Sequence, residues 1–374
     1  MASPRALLAA LTLGWTIVWV QRAALSPAGP LLQAELGLDY GQLGALSTAG
    51  VVGGAAGYLV AGWLAHHRLR GTMLAGAALL AVATLASWRA GTYLALLASQ
   101  GVAGFAEGLF YVPALAAITR ATEPGKSGRA LGTLDMGISL GTFVALLLAP
   151  SLFAAAGSRG GFLAGGVLGL LVVPVLMAAV GRAAPVAPPA WREVLRRRAW
   201  PLYVAIAMLL VVYFTLVYLS PAFLVSRGFR AADADLVAAA AVVLGVPLHV
   251  VGGVLGDRVG PLRSATAFLV ASGAAVALLA LASSPALSAA ALVAAYVLGI
   301  GGFVGVILLV PRVLGAHLAA PAFGVFWGIG YLGGALGPSL VGAAADAVGF
   351  APALLGLAAL TFLAAAALQP LARA

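Results

Sequence analysis

Twelve stretches of apolar residues, each close to the length of a bilayer crossing and separated by short gaps, constrain this chain more than any other feature. They run over residues 6–32, 42–65, 71–88, 92–119, 130–155, 160–181, 200–225, 235–256, 263–283, 286–315, 321–345 and 350–370. A helix needs about 20 apolar residues to cross the hydrocarbon core. Lipid offers nothing to an unpaired backbone N–H or C=O, so a spanning segment of this length is expected to be a helix, which satisfies them internally. Composition agrees: charged residues make up 8% of the chain and hydrophobic ones 63%, whereas a soluble domain carries roughly 25% charged residues. The expected fold is therefore an all-α polytopic membrane protein with twelve transmembrane helices.

The formal net charge is +10, which in a soluble protein would suggest nucleic acid. Here the basic residues sit in the gaps between apolar runs, a topological pattern, and no nucleic-acid partner is expected. With the N-terminus placed inside, fifteen of the 20 Lys and Arg residues fall at cytoplasmic ends and four outside. The expectation is a cell (inner) membrane protein with both termini cytoplasmic. The first apolar run lacks a small-residue cleavage site followed by a polar domain, so it reads as a retained span. There is no cysteine, which excludes disulfides and thiolate metal sites. His66 and His67 have no carboxylate beside them, so no metal is expected there. The sequence has no nucleotide-binding loop, and no cofactor is expected.

The longest polar interruption, Gly181 to Trp200, is rich in Pro and Arg and reads as a linker. It divides the chain into an N-terminal six-helix bundle (1–181), a cytoplasmic linker (182–199) and a C-terminal six-helix bundle (200–374). Internal repetition supports that division. "LSPA" recurs at Leu25 and Leu219, "GWLAHHRLRG" from Gly62 parallels "GVLGDRVGPLR" from Gly253, and Gly132 and Gly141 match Gly324 and Gly333. Parallel repeats of this kind mark secondary carriers. Glycines four apart (Gly53 and Gly57, Gly104 and Gly108, Gly137 and Gly141, Gly252 and Gly256, Gly324 and Gly328, Gly333 and Gly337) place small residues on one helix face, allowing close packing or sliding.

Two charges lie deep within apolar runs. Arg22 sits near the middle of the first run and Glu107 near the middle of the fourth. An Arg at that depth costs at least about 2.5–3.5 kcal/mol and must face a partner or a wet cavity. It reads as a clamp for a carboxylate, which guanidinium binds through two parallel hydrogen bonds, or as the structural partner of Glu107. Glu107 reads as a proton carrier or as the permanent counter-ion of Arg22. In the coupling reading a substrate anion takes Arg22, and Glu107 then loses its counter-ion and picks up a proton.

"GGVLGDRVGPLR" (Gly252–Arg263) resembles the loop between the second and third helices of each half in the major facilitator superfamily. The resemblance implies two pseudo-symmetric six-helix bundles, with Asp257 and Arg258 as a cytoplasmic gating latch. In the first half His66 and His67 stand where that acid and base are expected. "QRAALSPAGPLLQAELGLDYGQLGALSTA" and "GFAEGLFYVPALAAITRATEPGKSGRALG" resemble the anion:cation symporter family. That implies Arg22 on the substrate carboxylate and Glu107 in proton coupling. Gln21 departs from the acid that the family commonly has before this Arg, which puts proton stoichiometry in question.

Asp135 stands near the cytoplasmic end of the fifth run, where a hydrogen-bonding, gating or second proton-coupling role is open. His249 is eight residues before Asp257, in the place Tyr58 holds in the other half; it reads as a substrate donor or as a buried hydrogen-bonded His. Tyr58, Tyr111, Tyr213, Trp327 and Tyr331 are further candidate substrate-binding residues. The seventh run has no charge, so a second Arg suited to phosphate esters is missing, and the fifth run lacks the glycine- and proline-rich signature of drug exporters. The reading is a monomeric secondary carrier of a small organic anion, a carboxylate, by proton or sodium symport, working in the lipid bilayer by alternating access. The alternatives are an exporter or uncoupled facilitator, and a membrane-embedded enzyme or receptor. The last two would need a catalytic constellation or a sizeable extramembrane domain.

Overall fold

The computed structural model describes residues 3–123, 126–181 and 191–373, and among them there is no strand. The first part of the expected linker, 182–190, lies outside the described residues. Seven helices precede it: α1 (Pro4–Ala23), α2 (Leu25–Leu36), α3 (Tyr40–Arg89), α4 (Tyr93–Ala121), α5 (Ser127–Asp135), α6 (Gly137–Ala156) and α7 (Gly160–Ala179). The turn α8 (Trp191–Val194) leads into α9 (Trp200–Ser226), α10 (Ala231–Val259), α11 (Pro261–Leu281), α12 (Pro285–Leu314), α13 (Ala319–Val348) and α14 (Phe350–Ala367).

Eleven segments of the described residues are long and apolar enough to cross a membrane. One of them, Ser127–Ala179, has 53 residues, which as a straight helix would measure about 80 Å, more than twice the ~30 Å hydrocarbon core. It reverses instead at Gly157–Arg159, where Gly157 has φ +70°, a conformation that glycine adopts without a Cβ clash. Counted that way the described residues hold twelve segments able to cross. The second and third crossings are joined without a loop: α3 has 50 residues and changes direction at Arg68, whose φ −138° and ψ 52° are not helical.

Helix starts follow their sequence signals. Asp39 and Gln42 form a reciprocal capping box at the head of α3, with the Gln42 N–H donating to Asp39 Oδ1 at 2.7 Å. Thr92 and Ser284 cap α4 and α12 with their hydroxyls. These side chains take up backbone donors that the first turn leaves unpaired.

The chain forms two compact units. The first comprises Met1–Thr122, Leu134–Val194 and Ala316–Gly328. Within it α3 packs on α4 and α7, and α1 packs on α6, α7 and α4. The second comprises Glu123–Thr133, Leu195–Gly315 and Ile329–Ala374; in it α12 packs on α10 and α11, and α14 on α11 and α9. The glycine pairs lie at these crossings. A methyl group on Gly53 or Gly57 would collide with the carbonyls of Gly101 and Phe105, and one on Gly104 with that of Gly50. The backbones of α3 and α4 therefore touch, which dispersion rewards where lipid provides no hydrophobic drive.

Candidate functional site: a buried ion pair with an aromatic surround

In the first unit α1, α3 and α4 bring the two deep charges together. Arg22 Nε donates to Glu107 Oε2 at 2.8 Å, with the Arg side chain 13% exposed and the Glu side chain 1%. Tyr58, on α3, donates its hydroxyl to the other carboxylate oxygen, Glu107 Oε1, at 2.6 Å. Both oxygens of Glu107 thus accept a hydrogen bond. The guanidinium lies over Gly50 so closely that a Cβ there would overlap it. Gly50 is therefore the seat of Arg22 on α3.

One turn along α4 from Glu107, Tyr111 projects from the same face. Its hydroxyl donates to Asp135 at the end of α5. Trp15, two turns before Arg22 on α1, stacks flat on Tyr111, with ring centroids 3.9 Å apart and planes 4° apart. Trp327 closes the group, 5.8 Å from the Tyr58 ring and 5.2 Å from that of Tyr111. Six residues singled out from sequence (Arg22, Tyr58, Glu107, Tyr111, Asp135 and Trp327) thus form one connected cluster.

Gln21 points elsewhere. It is buried, accepts from the Thr84 hydroxyl at 3.1 Å and packs on Gly165 and Gly169 of α7, so it ties α1 to α3 and α7. Trp15, Gly50 and Thr84 escaped the sequence reading. Trp15 was findable, since seven residues before Arg22 is the same helix face; Gly50 and Thr84 carry no local signal.

The second unit holds the remaining candidates. Tyr213 on α9 accepts a hydrogen bond from Tyr296 on α12 at 3.2 Å, and Tyr331 meets Phe214 edge-on at 5.6 Å. His249 is buried on α10, and Gly132 of α5 packs against its carbonyl as Gly324 of α13 packs against that of Tyr58 in the first unit. That pairing matches the spacing of the internal repeat. Asp257 accepts from the N–H groups of Gly128 at 2.9 Å and Arg129 at 3.0 Å, capping the head of α5 where the helix dipole favours a negative charge. Arg258, beside it, is exposed. The repeat places Pro321 where Arg129 stands, and Pro has no N–H to give such a cap. The acid and one of its two donors are therefore absent together from the first-half counterpart.

Apolar membrane-crossing helices with a charge pair buried inside the first unit are the make-up of a membrane carrier of solutes. The chain belongs to the Major Facilitator Superfamily, whose model matches residues 11–338, and it is a transporter of that family. It is 28% identical over 339 residues to the 3-(3-hydroxy-phenyl)propionate transporter of Escherichia coli strain K12, covering 86% of this chain and 82% of the relative. It is 27% identical over 279 residues to the probable sulfoacetate transporter SauU of Cupriavidus necator, covering 68% of this chain and 65% of that one. In structure it resembles the human organic anion transporter MFSD10 (TETRAN), with a TM-score of 0.84 at 14% identity over 99% of this chain and 100% of that one.

Proposed function

We propose that this transporter carries a small organic monocarboxylate across the cell membrane together with a proton, by alternating access. The carrying observation is the buried Arg22–Glu107 pair held with Tyr58. An incoming carboxylate competes for the Arg22 guanidinium, which matches its two oxygens. Glu107 then loses its counter-charge, and a buried carboxylate in that position takes up a proton. Cargo and proton cross together, and release of the anion restores the pair. Two curated relatives named as carriers of hydroxyphenylpropionate and sulfoacetate, both organic anions, support the substrate class.

The other candidates take their places in the same reading. Tyr58, Tyr111, Tyr213, His249, Trp327 and Tyr331 face cargo at successive stages, and Asp135, through Tyr111, is a second proton site. Asp257 closes a cytoplasmic gate at the head of α5. The bundles 1–181 and 200–374 are the moving bodies, joined by 182–199, and both termini are cytoplasmic in a monomer.

The test is uptake of labelled organic carboxylates into proteoliposomes, with and without an inward proton gradient, protein-free vesicles giving the passive background. Wild type should accumulate substrate only with the gradient, Glu107→Gln should lose the gradient dependence, and Arg22→Ala should lose uptake. Gradient-driven accumulation surviving in Glu107→Gln would remove the coupling role, and normal uptake by Arg22→Ala would remove the clamp.

A further inference from the structure

The cargo cycle leaves one feature of the second unit unused. Between α10 and α12 runs an open groove of about 580 Å³ whose lining residues are all aliphatic. α10 contributes Val237, Ala240, Leu244 and Leu248, and α12 contributes Ala290 and Val293. Alanines stand at four of the lining positions, 240, 289, 290 and 294, and leave the space that longer side chains would fill. α10 is also the least enclosed of the eleven apolar segments, with 28% of its most apolar stretch buried, and Leu244 in the groove is 51% exposed. In a transporter that stands in a bilayer, an aliphatic hollow of this kind takes hydrocarbon, since water finds no polar partner there.

Its length and its polar end indicate which lipid. From Val237 to Leu248 the groove follows α10 for about 16 Å, close to half of the ~30 Å hydrocarbon core and so the reach of an acyl chain from one leaflet. One turn before Val237, on the same stripe of the helix, stands Asp233. Arg230, just ahead of α10, donates Nε to Asp233 Oδ2 at 2.7 Å and Nη2 to Oδ1 at 2.9 Å. The Arg230 side chain is 84% exposed and that of Asp233 39%, so one cation and one anion are presented together at the end of an aliphatic groove. An exposed pair of this kind adds little to stability. It keeps Nη1 of Arg230 as a donor and the outer lone pairs of Asp233 as acceptors. A headgroup that joins a phosphate to a primary ammonium is the complement, with the phosphate accepting from Arg230 and the ammonium donating to Asp233. A choline headgroup has no N–H to give, and a glycerol headgroup has no cation to set against Asp233.

We infer that the α10–α12 groove is a lipid site selective for an ethanolamine phospholipid, with one acyl chain between the two helices and the headgroup on Arg230 and Asp233. The site lies wholly within the second unit, and it does not depend on the carboxylate-carrier reading.

The experiment is native mass spectrometry of the full-length detergent-solubilised chain after incubation with equal amounts of three dioleoyl phospholipids, of the ethanolamine, choline and glycerol types, whose adducts differ in mass. Wild type should retain the ethanolamine lipid about fivefold over either of the others, the discrimination expected of one net hydrogen bond. Asp233→Asn should bring the ratio of ethanolamine to choline lipid to about one. Arg230→Gln, which removes the donor to a phosphate that all three share, should lower all three adducts. Ala240→Leu combined with Ala290→Leu, both at exposed positions, fills the groove and should also lower all three, with the thermal unfolding midpoint unchanged. Equal retention of the three lipids by wild type overturns the inference, as does a preference for the glycerol lipid or an ethanolamine preference that survives Asp233→Asn. Undiminished adducts in Arg230→Gln or in the double Leu variant put the lipid elsewhere and overturn it too. A two-copy mass in place of the lipid adduct gives the groove to a second chain, with the same consequence.

Discussion

The buried ion pair makes a prediction whose size follows from its burial. Glu107 is 1% exposed, both its oxygens are bonded, and Arg22 is 13% exposed, so neither charge can turn to water when the other is removed. Replacing Glu107 by Leu removes the carboxylate that faces the guanidinium, and Arg22→Met removes the guanidinium that faces the carboxylate. Each single change should destabilise the protein by about 3–5 kcal/mol, whereas replacing both by apolar residues should be close to neutral, because the desolvation of both charges disappears together. The expected coupling is therefore several kcal/mol and favourable. It is measured by a double-mutant cycle on equilibrium unfolding of the detergent-solubilised protein, followed by tryptophan fluorescence. Single variants that each lose under about 1 kcal/mol, with a double variant equal to their sum, would refute the reasoning, since additivity is the behaviour of solvated charges.

Other outcomes follow from the packing. Gly50→Ala should displace the Arg22 guanidinium from its seat and weaken carboxylate binding about tenfold or more, read as the substrate concentration at half-maximal uptake in proteoliposomes, while Gly44→Ala on the same helix, where a Cβ meets open space, should leave it unchanged. Gly104→Ala forces a methyl into the Gly50 carbonyl and should lower the unfolding midpoint by the equivalent of about 1–3 kcal/mol. Tyr111→Phe removes the donor to Asp135 but keeps the stack on Trp15; proton-driven uptake should fall with carboxylate affinity little changed. Glu123 and Lys126 hold an exposed bond at 2.7 Å that lowers the carboxyl from its usual range and raises the ammonium, yet Glu123→Gln should leave thermal stability unchanged, since such pairs are solvated and screened.

What the amino-acid order settled by itself is the number of crossings, their approximate ends, and the demand that Arg22 and Glu107 be met by partners. Hydrophobicity is local and additive along a run, so an 18-residue window carries the information, and the cost of a charge in lipid is independent of where the chain goes next. The runs 130–155 and 160–181, already separate in the sequence, turn back on each other at Gly157. Only tertiary structure decided that Arg22 meets Glu107, that Tyr58 completes the carboxylate, that Trp15 stacks on Tyr111 and that Asp257 caps the head of α5. Those choices depend on the rotation and tilt of each helix about its neighbours, which close backbone contacts such as Gly104 on Gly50 fix. Residues 85 apart in the chain carry no mutual signal until the backbones are brought that close.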